Sequence, residues 1–217
     1  MKNKELAERY ILFILGLFFS GIGVAFTKHV ELGVSPISSV ANVMSFKFDF
    51  FTMGTWLIIW NCVLIAGQII ILRKDFKPYQ LLQIPLSFLF GYFTDFGMWL
   101  VSFIPVNSYF LKLIMLFIGI AVLAFGISLT VIANVIMNSG EAIVKAISDK
   151  TNREFGNVKV AFDISCVTFS IILSLIFFDM KIVGTREGAI ISAILTGFAV
   201  KFFTKLLKDK LEKILLK

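Results

Sequence analysis

Charge is what this chain has least of for its size. Only 16% of its 217 residues are Asp, Glu, Lys or Arg, and 58% are hydrophobic, whereas soluble domains carry about 25% charge. With a mean hydropathy of +0.91, a water-soluble globule is excluded and an integral membrane protein is expected. Cysteine is scarce too. Cys62 and Cys166 lie in apolar runs without the spacing or histidine company of a metal site, so they read as small buried side chains. The single histidine, His29, stands beside Lys28 and Glu31; it is expected to be a solvated loop residue, with pH sensing as the alternative. Four Tyr and three Trp against 25 Phe leave little for an interfacial belt and point to rings facing lipid tails. No Ser/His/Asp constellation, metal cluster or phosphate loop can be assembled, and Gly184 to Gly188 lacks the P-loop lysine spacing. Neither an enzyme nor a cofactor is expected.

Apolar windows do occur, at roughly 10–27, 53–72, 79–104, 110–132, 156–178 and 187–207. Crossing a hydrocarbon layer of ~30 Å takes about 20 residues per helix, so the length allows one bundle and leaves no room for a soluble domain. Strict alternation is missing, which excludes a barrel, and helices satisfy every backbone group within lipid. The basic N-terminus before the first window imitates a signal peptide, but no small-x-small cleavage site follows, so it is expected to be retained. The net charge of +7 comes from residues flanking apolar stretches, not from a basic stripe with exposed aromatics, so nucleic acid is not an expected partner. Six crossings with both ends cytoplasmic leave Lys28, Lys47, Lys112, Lys181 and Arg186 outside and the other sixteen Lys and Arg inside, a decisive positive-inside bias. The tail from Leu206 to Lys217 reads as a basic amphipathic extension of the last helix.

The chain repeats itself. Shifted by about a hundred positions, Gly16 lies over Gly119, Gly23 over Gly126 and Thr27 over Thr130; further on Ser45 meets Ser148, Gly54 meets Gly156 and Asn61 meets Asp163. Two halves, 1–104 and 105–217, with three crossings each would sit upside down relative to one another. The fold expected is therefore an all-α polytopic bundle of six transmembrane helices in two inverted three-helix repeats. Each half adds a short helix after its first span. Gly33-Val34-Ser35-Pro36 opens one, with Ser35 suited to the cap and Pro36 to the first turn. Asn138-Ser139-Gly140-Glu141 opens the other, with Glu141 favourable to the helix dipole.

These segments carry a resemblance. Gly33-Val34-Ser35-Pro36, the Gly91-x-x-x-Asp95 pattern and Phe155-Gly156-x-Val158-Lys159-x-x-Phe162-Asp163 together resemble the YczE/YyaS/YitT-like family of bacterial integral membrane proteins, over nearly the whole chain. The resemblance implies a small polytopic inner-membrane protein, of a family with no settled activity that is sometimes suggested to transport or export. That family often has an aromatic and then an acidic residue straight after the proline. Here Ile37 and Ser38 stand there, so no role of that acid carries over.

Polar residues inside apolar helices are functional candidates, because lipid penalises them by a few kcal/mol. Asp163 and its repeat mate Asn61 fall about 12 Å into their spans, at mirrored depths; they read either as a substrate or proton site or as a packing hydrogen bond. Asp95 is expected near the outer interface. The N-termini of the two short helices, with Ser35, Ser38, Asn42, Asn138 and Ser139, could face one another and bind an anion or carboxylate; the bland reading is a pair of surface helices with ordinary caps. Glu141 would repel an anion unless Lys145 offsets it, which keeps a cation or amine open. Two functions follow from the sequence: a secondary transporter or exporter of an unidentified small molecule in the bacterial inner membrane, or a non-transporting adaptor for a partner enzyme or complex. The lipid bilayer is the one certain partner, and a homo-oligomer is compatible with the sequence.

Overall fold

The computed structural model describes residues 3–215. Eight α-helices carry them: α1 Asn3–His29, α2 Pro36–Lys47, α3 Met53–Leu72, α4 Gln83–Val101, α5 Tyr109–Ala133, α6 Ser139–Thr151, α7 Phe155–Phe177 and α8 Glu187–Leu215. No strand occurs among the described residues. Six of the helices (α1, α3, α4, α5, α7 and α8) are long and apolar enough to cross a membrane, and each closes its backbone hydrogen bonds internally, as lipid requires. The third span, Pro78–Val101, opens with the 3-10 turn Pro78–Leu82, continues as α4 from Gln83, and ends a few residues before its hydropathy suggests. The basic tail, by contrast, continues α8 without a break to Leu215.

Local chemistry sets the ends. Thr52 and Ser108 cap α3 and α5, their hydroxyls accepting from the amides of Thr55 and Leu111 at 3.1 and 3.2 Å. Asn134 and Asn152 stop α5 and α6 in the left-handed conformation, which asparagine tolerates better than most residues. Both described chain ends lie on one side of the bundle, since Arg9 of α1 and Thr204, Lys208 and Glu212 of α8 line one groove. We call that side the terminal face.

The centre of the bundle is the crossing of α1 and α5. A Cβ added at Gly16 would lie 2.6 Å from Thr130 Cγ2, and one at Gly119 would lie 2.9 Å from Thr27 Cγ2. Likewise Gly23 abuts Leu123, and Gly126 abuts Ser20. Numbers rise along one helix as they fall along the other, so the pair is antiparallel, and each contact has a mate offset by the repeat length. Glycine is required at this seam because any side chain would separate the two backbones. Around the seam, α1 also packs on α4 and α5 packs on α8; α2 leans on α7, and α6 on α3.

One pairing has no such mate. α3 packs tightly on α4 where Gly54 meets the Gly91 carbonyl and Asp95, while α7 and α8 make no comparable contact. The residues matching that seam make no such contact: a Cβ at Gly156 would meet only Glu154 Oε1, at 3.9 Å, and nothing lies within 4 Å of a Cβ at Gly197.

Candidate functional site

Both short helices run within the bundle, not across its surface. Ser139, the first residue of α6, donates from its hydroxyl to Asn61 Oδ1 at 2.7 Å, and its carbonyl accepts from Gln68 Nε2 at 3.2 Å. At the far end Lys150 pairs with Asp75, just beyond α3, at 2.7 Å. α6 therefore lies beside the second half of α3 for roughly 16 Å of helical rise, from mid-bundle to the terminal face. α2 does the same in mirror image. Its Ser39 reaches the Cys166 carbonyl in the middle of α7 (3.4 Å), and Lys47 reaches the Phe177 carbonyl at the end of α7 (3.0 Å). The two N-termini meet, because a Cβ on Gly140 would lie 2.6 Å from Ile37 Cδ1. Two half-length helices thus abut, N-terminus to N-terminus, in the centre of the protein.

The amino acids around this junction are polar and almost sealed: Asn61 is 8% exposed, Ser139 4% and Ser38 4%. The Ser35 hydroxyl donates to the Ser38 hydroxyl at 3.0 Å instead of capping the α2 backbone. Asn42 donates its amide to the Gly184 carbonyl, while its Oδ1 is buried without a hydrogen bond from any described residue. Beside Asn61, the Trp60 ring stacks on Phe169 of α7 with centroids 6.3 Å apart, and its buried indole N–H has no partner among the described residues.

Asp163 does not join Asn61. It binds Lys159, one turn earlier on α7, through both carboxylate oxygens. Asp95 accepts from the Gly54 amide at 2.8 Å and from the Thr52 hydroxyl at 2.6 Å, and so closes the N-terminus of α3, where a carboxylate is favoured by the dipole. Among the described residues Glu141 has no cation within ion-pairing distance, since Lys145 turns to Asp149 at 2.7 Å. His29 is not a free loop side chain: its Nε2 lies 2.9 Å from the Ile104 carbonyl.

Gln68 and Gln83, absent from the residues the sequence singles out, turn out to be central. They are fully buried and exchange reciprocal amide bonds at 3.0 Å, tying α3 to the first turn of α4 under the start of α6. A glutamine inside each of two apolar windows was the available signal. Above them a groove of about 370 Å³ opens beside α6, lined by Tyr79, Gln80, Gln83, Thr130, Asn134, Asn138, Glu141, Lys145 and Asp149 together with apolar residues of α5 and α6. It connects the terminal face to the α6 N-terminus. At the corresponding place by α2, the chain is packed shut: the Gly188 amide donates to the Leu32 carbonyl at 2.8 Å and Gly184 touches Asn42 and Phe46. No described cluster of three or more His, Cys, Asp or Glu side chains could hold a metal ion.

These features define a polytopic α-helical membrane protein with two abutting half-helices. The chain belongs to a family of unknown function (DUF6198), whose model matches residues 7–205. It is also 24% identical over 202 residues to the uncharacterized membrane protein YczE of Bacillus subtilis (strain 168), an alignment covering 92% of this chain and 87% of that protein. No solved structure matches.

Proposed function

We propose that this protein is a secondary transporter or exporter of a small molecule across the bacterial inner membrane, with both termini cytoplasmic. The reading takes residues 1–104 and 105–217 as inverted three-helix repeats with an added half-helix each. It rests above all on the junction of α2 and α6, whose N-termini meet in mid-bundle. Half-helices aimed at the bilayer centre are how many carriers place unpaired N–H groups and polar side chains where lipid would not accept them. The mate contacts of α1 and α5, conserved under the repeat offset, support the inverted duplication. A groove on the terminal face and packed chain at the matching place on the other side fit one state of an alternating-access cycle.

The site comprises Ser35, Ser38 and Asn42 of the α2 end, Asn138, Ser139 and Glu141 of the α6 end, Asn61 beside them and Asp163 on α7; Asp95 stands apart as the cap of α3. No catalytic role is assigned, because the acids have no matching base. An ion gradient would drive movement. The test is solute flux in proteoliposomes: Asn61→Ala and Asp163→Asn are expected to lower it by about tenfold or more, and unchanged flux in both removes this site. A second reading, a membrane adaptor for a partner enzyme, draws on the exposed apolar faces of α7 and α8, where Val160, Ile164, Ile190 and Phe198 are all at least 60% exposed. A stoichiometric partner captured in mild detergent, with no flux for a broad solute panel, would favour it.

A further inference from the structure

The groove beside α6 carries an unbalanced charge, and its chemistry selects an occupant. Three ionisable groups of α6 line it: Glu141, Lys145 and Asp149. Lys145 and Asp149 neutralise each other at 2.7 Å, which leaves Glu141 as one negative charge in excess. The charges that face Glu141 from α7 do not remove it, because Lys159 is engaged by Asp163 and that pair sums to zero. An anion is disfavoured even though a helix N-terminus is close, since Glu141 already sits in the first turn of α6 and answers its dipole. Asn134 and Asn138 line the same space, the Asn138 side chain makes no cap hydrogen bond to α6, and an asparagine amide offers a carbonyl acceptor, whereas Gln83 is committed to Gln68. Most of the remaining wall is apolar, including Leu72, Ile127, Val131, Val135 and Met137, with Tyr79, Gln80 and Thr130 also lining it.

We infer that the groove binds a small organic ammonium ion, its charge on Glu141, its N–H groups shared with Asn134 and Asn138, and its apolar body along α5. An ammonium supplies three donors and needs no acceptor of its own, and a volume of about 370 Å³ falls within the range of small-ligand pockets, roughly 300–1,000 Å³. This deepens the transport reading by naming the substrate class, yet binding can be measured without transport.

Purified protein in nanodiscs of phosphatidylglycerol is titrated with benzylamine, benzyl alcohol or benzoate, following the unfolding midpoint and calorimetric heat. Benzylamine is expected to bind saturably and raise the midpoint, benzyl alcohol and benzoate to do neither. Glu141→Gln should weaken benzylamine by at least about tenfold, as expected when one close charge partner is removed, and Asn138→Ala should weaken it less. A Glu141→Gln protein with unchanged helical content and midpoint keeps the comparison valid; if that variant unfolds, Glu141→Asp takes its place. Benzoate binding as tightly as benzylamine, unchanged affinity in the Glu141 variant, or no benzylamine binding in the millimolar range would each overturn the assignment. Saturable binding without proteoliposome flux supports the site and sinks the transport reading. Flux of an anion or neutral solute that ignores Glu141→Gln does the reverse.

Discussion

Buried polar side chains in this protein find one another across helices, and that decides which substitutions matter. Gln68 and Gln83 exchange amide bonds, and Gln68 also donates to the Ser139 carbonyl, so removing Gln68 leaves the Gln83 amide buried without that partner. Gln68→Met is expected to cost about 1–3 kcal/mol, seen as a lower unfolding midpoint in nanodiscs, and Gln68→Met with Gln83→Met should recover most of that loss; strictly additive losses would show that the pair is not coupled. Asn61 and Asp163 illustrate what the sequence could and could not say about residues. Their standing as polar positions within apolar runs was legible. Their partners were not: Asn61 bonds to Ser139, 78 positions away, while Asp163 takes Lys159 on its own helix. The second contact was within reach of the sequence, since residues four apart share a helix face. The first depended on where α6 lies.

Among the elements, the two short helices carry the proposal. Their existence and starting residues followed from Pro36 and from the Asn138-Ser139 cap signal, yet whether they lie on the surface or enter the bundle is a question of tertiary packing. The structure places them inside, and the Ile37 side chain against Gly140 gives a direct check. Carbons Cγ1 and Cγ2 of Ile37 lie 3.5 and 3.2 Å from a Cβ added at Gly140, close to the spacing a disulfide needs. With Cys62 and Cys166 replaced by serine, Ile37→Cys with Gly140→Cys should therefore cross-link under mild oxidation, giving a gel shift that reductant reverses. Failure to cross-link in folded protein would separate the two N-termini.

At the scale of the whole molecule, the Lys150 to Asp75 ion pair puts the ends of α3 and α6 on one face, as the charge bias along the sequence requires. Cysteines introduced at Lys74 and Lys150 should react with an impermeant maleimide from one side of the membrane, and a cysteine at Lys181 from the other; labelling of Lys74 and Lys150 from opposite sides would break the arrangement. The two halves are also packed unevenly. Asp95 caps α3 and draws α4 against it, whereas its repeat counterpart is Lys201, whose positive charge cannot serve a helix N-terminus, and α7 stays apart from α8. The sequence by itself determined that the chain is helical and carries six stretches long and apolar enough to cross a membrane, because hydropathy and charge bias are properties of local stretches that lipid reads one helix at a time. Only the tertiary structure decided that the half-helices meet head to head, that one seam closes while its counterpart stays open, and that Glu141 is left without a cation; each depends on contacts between residues far apart in the chain, which no local pattern encodes.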